Sequence, residues 1–91
     1  MTPVTRQRYE IMDHLEDGSA TLGSIRDRYG FMGWRNVARH VRFGRWRVQG
    51  VAADAQPHLD KDADIALAKR FEKMSPTIGV KQIFAPPRLC E

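Results

Sequence analysis

The sequence predicts a mainly α-helical domain: a three-helix core, a short basic β-hairpin or arm, then a fourth helix and an extended tail. Three observations predict it. Apolar residues recur at helical spacing in four stretches, each closed by a glycine or a proline. Between Arg45 and Val48 the period drops to two, the spacing of a half-buried strand. Basicity is also local. Residues 1–50 carry nine Arg, no Lys and five acids, a net of +4, while residues 51–91 carry four Lys, two Arg and six acids, a net of zero.

The elements follow in order. Thr5 can cap a first helix over about 5–17, with Tyr9, Ile11, Met12 and Leu15 as its apolar residues and Gly18 as its stop. Ser19 or Thr21 can cap a second helix over 22–29, in which Leu22, Ile25 and Tyr29 share a face and Gly30 ends the run. That helix has two turns and is marginal unless it packs on its neighbours. Phe31 to Gly33 is expected as the turn. Trp34, Val37, Ala38 and Val41 then give a full helical stripe over 33–43, with Arg35, Asn36, Arg39, His40 and Arg42 on the other faces.

After Gly44, Trp46 and Val48 alternate with Arg45, Arg47 and Gln49, which predicts a strand. Gln49-Gly50 is a natural turn into Val51-Ala52-Ala53, completing a short hairpin. Helical periodicity returns over 58–74, with Leu59, Ala63, Ala66, Leu67, Phe71 and Met74 as the stripe. Asp60, Asp62 and Asp64 begin this helix and Lys69, Arg70 and Lys73 end it, an order that complements the helix dipole. The tail from Thr77 carries Ile78, Val80, Ile83 and Phe84 and can dock as an extended segment, while Pro86-Pro87 excludes further helix. Residues 1–53 are thus read as a basic unit, and 54–91 as a helix and tail that complete the core or mediate association.

Composition narrows the classes of function. A chain of 91 residues is one small domain, and such a chain buries only about 60–65% of its unfolded surface. Apolar content of 42% allows a core, and 29% charged residues with a mean hydropathy of −0.52 predict a soluble fold. No apolar run approaches the roughly 20 residues a membrane span needs. MTPVTRQRYE has no apolar core of a signal peptide. A single cysteine, Cys90, cannot close an internal disulfide, and a cytoplasmic location is expected. From Phe31 to Gly50 there are five Arg and no acid. A local basic field of this kind raises encounter rates with a polyanion such as DNA or RNA.

The run Thr21-Leu22-x-x-Ile25-x-x-x-Tyr29-Gly30, followed by Val37-Ala38-Arg39-His40-Val41, resembles the helix-turn-helix of small winged-helix DNA-binding regulators across residues 5–51. In that family Thr-Leu opens the second helix, an Ile packs inward, a Gly ends it, and a Val-x-x-His-Leu type of pattern carries the recognition helix. This chain departs from the pattern in its longer turn between Gly30 and Val37, in Arg26 at a position usually small, and in its short wing. The resemblance implies a transcriptional regulator or phage-type architectural factor that sets helix 33–43 in the major groove of double-stranded DNA. Arg35, Asn36 and Arg39 would then reach base edges, since an Arg fork matches guanine O6/N7 and an Asn amide matches adenine N6/N7. Arg42, Arg45 and Arg47 would hold the backbone as a basic arm. A homodimer on two half-sites suits so small a domain.

Other residues carry less. Trp34 and Trp46 lie on apolar stripes, which favours packing over stacking on bases. His14, His40, His58 and Cys90 lack the spacing of a zinc site. D-K-D-A-D over 60–64 has the alternation of a calcium loop but neither its glycine nor its distal glutamate, so helix N-terminal charge explains it. There is no Gly-rich phosphate loop, nucleophile elbow or Cys-x-x-Cys pair, so no enzyme and no cofactor is expected. The rival reading is a small protein-binding inhibitor or adaptor, viral for example, that acts on a host nucleic-acid enzyme. It would use the same arginines, with Ile65, Phe71 and Met74 as apolar surface. RNA binding through Arg and Trp is a third reading.

Overall fold

A computed structural model describes residues 6, 9–11, 13, 14, 18–51 and 60–82. The described positions between 6 and 14 are all helical and form α1. They are followed by α2 (Leu22–Arg42), β1 (Trp46–Val48), α3 (Lys61–Phe71) and β2 (Val80–Gln82). The fold is mainly helical with a small antiparallel sheet, as the sequence predicts, but the described residues form three helices rather than four.

The difference lies at Gly30. The helices expected over 22–29 and 33–43 run together into α2, and the break between them is a single residue, Gly30, at φ 68° and ψ −162°. That backbone region is open essentially to glycine alone. Phe31, Met32 and Gly33, expected as turn, are already helical. Two contacts hold the second half of α2 against the first. The Trp34 indole Nε1 donates to the Leu22 carbonyl at 2.8 Å. At Gly33 an ideal Cβ would lie 2.7 Å from Tyr29 Cβ and 2.9 Å from Ile25 Cγ2, so only glycine permits the approach.

The start of α2 is capped on every orphan donor. Thr21 is extended and its Oγ1 accepts from Ser24 N at 3.0 Å, while Ser24 Oγ accepts from Thr21 N at 2.9 Å, a capping box with serine in the glutamate role. Leu22 N donates to the Ile78 carbonyl at 3.0 Å and Gly23 N to the Pro76 carbonyl at 2.8 Å, so the segment before β2 closes the helix end. The other end closes on Gly44 at φ 79°. Gly44 N donates to the Val41 carbonyl and Arg45 N to the His40 carbonyl, the bond pair of a Schellman motif.

One core takes side chains from every element. Ile11 of α1, Leu22, Ile25, Val37 and Val41 of α2, Val48 of β1, Phe71 of α3 and Val80 of β2 are all at or near zero exposure. Tyr9, expected on the buried stripe of the first helix, is exposed instead, because it lies two positions before Ile11, about 200° round the helix at 3.6 residues per turn. Trp34 and Trp46 are both buried, and Trp34 meets Phe71 edge-on at 6.3 Å between ring centroids.

α3 is shorter than the expected 58–74. Asp60 is its N-cap, accepting from Asp62 N and Ala63 N. After Phe71 the backbone bonds shift to the tighter three-residue pattern, with Met74 N donating to the Phe71 carbonyl. Its buried face is Asp64, Leu67, Ala68 and Phe71, whereas Ala66 is exposed. The stripe is rotated from the expected one because Asp64, an acid expected at the solvated helix start, turns inward to meet Arg39 and Arg42.

The strand at Trp46–Val48 forms as expected, but its partner differs. Gln49 and Gly50 do turn, with Val51 N donating to the Val48 carbonyl. Val51 is then buried outside any strand, and β1 pairs antiparallel with β2 from the tail, Trp46 opposite Gln82, Arg47 opposite Lys81 and Val48 opposite Val80. The physical reason is burial: Val80 fills the core beside Val48 while its neighbours bond the start of α2, Val80 N donating to the Ala20 carbonyl. The expected cap Thr5, the apolar residues Met12 and Leu15, and residues 52–59 and 83–91, including His58 and Cys90, lie outside the described residues.

Candidate nucleic-acid interface

A strand with one face in the core must turn its other face out. In β1, Trp46 and Val48 point inward at 3% and 1% exposure, so Arg45, Arg47 and Gln49 emerge on the solvent side. Trp46 is held there by His40, whose ring lies 4.2 Å from it between centroids. The exposed residue of β2 directly opposite Arg47 is Lys81. Residues opposite each other in a ladder share a face, so the outer face of the sheet carries Arg47 and Lys81, with Arg45 exposed just before β1. No acid occurs over 31–50 or 73–82, the stretches that hold both strands.

The arginines of α2 are disposed differently. Arg42, expected on a phosphate, is 5% exposed. Its Nη1 donates to Asp64 Oδ1 and to the Asp60 carbonyl, the latter at 3.0 Å. Arg39, expected at a base edge, is half-buried and donates from Nε to Asp64 Oδ2 at 3.0 Å. One buried carboxylate thus balances two of the expected DNA-contact cations, Arg39 for a base edge and Arg42 for the backbone. Arg35 is also half-buried, with Nη1 donating to Met32 Sδ at 3.2 Å and Nε enclosed without a hydrogen-bond partner. The Asn36 Nδ2 donates to the Met32 carbonyl at 3.0 Å, one helical turn back.

Of the six arginine and asparagine positions expected at DNA, the structure therefore brings Arg45 and Arg47 together on an open face. It directs Arg39 and Arg42 to Asp64, and leaves Arg35 and Asn36 half-exposed with intrahelical contacts. Two exposed cations earlier in α2 lie on aromatic rings: Arg26 over Trp34 at 5.1 Å and Phe31 at 5.8 Å, and Arg28 over Tyr29 at 5.5 Å. Lys81 is the residue sequence reasoning passes over. Its signal is the alternation Ile78, Val80 with Lys81 beside it, which marks a strand but does not say what it pairs with.

Among the described residues, Tyr29 is the one titratable group displaced from its ordinary range. Burial pushes its phenol up, Arg28 pulls it down, and Glu10 and Asp13 push it up further. Its hydroxyl has no hydrogen-bond partner. Among the described residues no group of three His, Cys, Asp or Glu side chains could hold a metal ion, and no helix is long and apolar enough to cross a membrane. Comparison with protein-family models, with curated proteins and with solved structures finds no match.

Proposed function

We propose that the protein binds double-stranded DNA, as a small regulator or architectural factor, with the outer face of β1 lying on the phosphate backbone. One observation carries this reading: Arg47 stands exposed on the face of a strand whose other face is core, and Arg45 is exposed just before that strand, within a stretch that has no acid. Exposed cations that make no ion pair among the described residues are the groups that replace condensed counterions on DNA. The buried state of Trp34 and Trp46 favours a duplex over a single strand, since single-strand binders rely on exposed aromatic platforms. Base reading falls to Arg35 and Asn36, whose contacts with Met32 are local and exchangeable. Arg39 contributes less, because its Nε is held by Asp64. A homodimer on two half-sites accompanies this reading, and a solution mass of twice the chain mass would support it.

The test is affinity for random duplex DNA as salt is varied. Log affinity should fall linearly with log salt, by about 0.9 for each phosphate contacted. Replacing both Arg45 and Arg47 with Ala should flatten that slope by roughly 1.8. An unchanged slope in that variant would sink the proposal. Recovery of one stoichiometric protein from nuclease-treated lysate, together with no affinity for DNA, would favour the inhibitor or adaptor reading instead.

A further inference from the structure

The outer face of the sheet is made by two segments far apart in the chain, and one of its two cations comes from the tail. From this juxtaposition we propose that Lys81 is a DNA-contact residue, and that Arg47 and Lys81 together form a clamp for one stretch of duplex phosphate backbone. The inference rests on the reading of the preceding section and adds to it the tail strand and its lysine.

Three observations support it. The first is register: Lys81 is directly opposite Arg47, and both are exposed. Like charges in opposite positions of a ladder repel, so the bare fold bears a cost that a bound anion would remove.

The second is fixation. Lys81 follows a segment strapped to two elements by backbone bonds. Gly23 N donates to the Pro76 carbonyl at 2.8 Å, Leu22 N to the Ile78 carbonyl at 3.0 Å, Gln49 N to the Gly79 carbonyl at 3.3 Å, and Val80 N to the Ala20 carbonyl at 3.0 Å. With Val80 at 1% exposure, the strand cannot slip by one residue without moving Val80 out of the core and Lys81 into it. The lysine is therefore presented by a fixed backbone.

The third is the surroundings. The nearest acid before Lys81 in its own segment is Glu72, and the strand opposite lies in an acid-free stretch, so the charge is not neutralised by its neighbours in sequence.

The experiment compares salt slopes for a random DNA duplex across single variants of the full chain, each checked for folding by circular dichroism and thermal melting. Lys81→Ala should flatten the slope by about 0.9 and weaken binding roughly fivefold at 0.15 M salt. Its melting temperature should be unchanged or higher, because the repulsion with Arg47 is gone. Lys81→Glu should pair with Arg47, raise the melting temperature further and lose more affinity than Lys81→Ala. Lys69→Ala, which removes an exposed lysine of α3 and not of the sheet, should leave the slope as it was.

The failures are distinguishable. If Arg45→Ala and Arg47→Ala flatten the slope and Lys81→Ala does not, the clamp is wrong and the proposed function stands. If none of the three changes it, the proposed function fails and the clamp fails with it. If Lys69→Ala flattens the slope as much as Lys81→Ala, binding is spread over the whole positive surface and the clamp is overturned. Equal affinity and slope for an A-form RNA duplex would overturn the assignment to DNA.

Discussion

Replacing Asp64 with Ala should be the most damaging single change in α3. Its side chain is 3% exposed and accepts from Arg42 Nη1 on one oxygen and from Arg39 Nε on the other. Arg42 is itself nearly enclosed, so the substitution takes from a buried guanidinium the carboxylate that Nη1 bonds. Removing one partner of a buried ion pair costs about 3–5 kcal/mol. Arg39 adds little, since a third of its side chain already reaches solvent. A chain of this length has about 5–14 kcal/mol of stability in all, so the loss is a large fraction of the total. Urea denaturation followed by circular dichroism and Trp fluorescence measures it, with Trp34 reporting on the α2–α3 contact through Phe71. The midpoint should fall with little change in the denaturant slope. A companion variant, Asp64→Leu with Arg42→Met, fills the same space without charge and should recover at least about 2 kcal/mol of the loss. An Asp64→Ala protein within about 1 kcal/mol of the parent would refute the argument that this carboxylate pins α3 to α2.

Three further outcomes follow from the backbone and from Tyr29. Gly30→Ala forces a side chain into a backbone region that essentially only glycine occupies and should cost about 1–3 kcal/mol in the same denaturation assay. Glycine to alanine inside a helix ordinarily gains about 1 kcal/mol. Gly23→Ala should lose stability instead, because the new Cβ would lie 2.9 Å from both Pro76 Cβ and the Pro76 carbonyl oxygen; a more stable Gly23→Ala protein would show that the strap is not seated there. Tyr29→Phe removes a buried hydroxyl that has no partner and should be neutral or stabilising at pH 7. The folded phenol titrates above its ordinary value, so its contribution to stability is full below pH 10.0 and is lost as pH rises through the folded value. The gap in urea midpoint between Tyr29→Phe and parent should therefore widen in favour of the variant between neutral pH and about pH 11.

The sequence by itself determined the local elements. Helical spacing marks α3 and both halves of α2, Ser19 or Thr21 stands as the cap and Gly44 as the end, and alternation at Trp46–Val48 marks β1, because each depends on residues within a turn or two of one another. It also located the basic stretch, and Arg45 and Arg47 within it, since exposure on a half-buried strand follows from parity alone. Tertiary structure decided the rest. That Gly30 bends one helix rather than separating two depends on Trp34 reaching the Leu22 carbonyl and on Gly33 letting the halves touch. That Arg39 and Arg42 face inward depends on Asp64, which periodicity assigns to a solvated helix start and which only the packing of α3 on α2 brings to them. That β1 pairs with the tail, and so that Lys81 joins Arg47, depends on Val80 filling the core beside Val48. Charge and periodicity are properties of neighbours in the chain. Which cation is neutralised and which is left open to a partner is a property of neighbours in space.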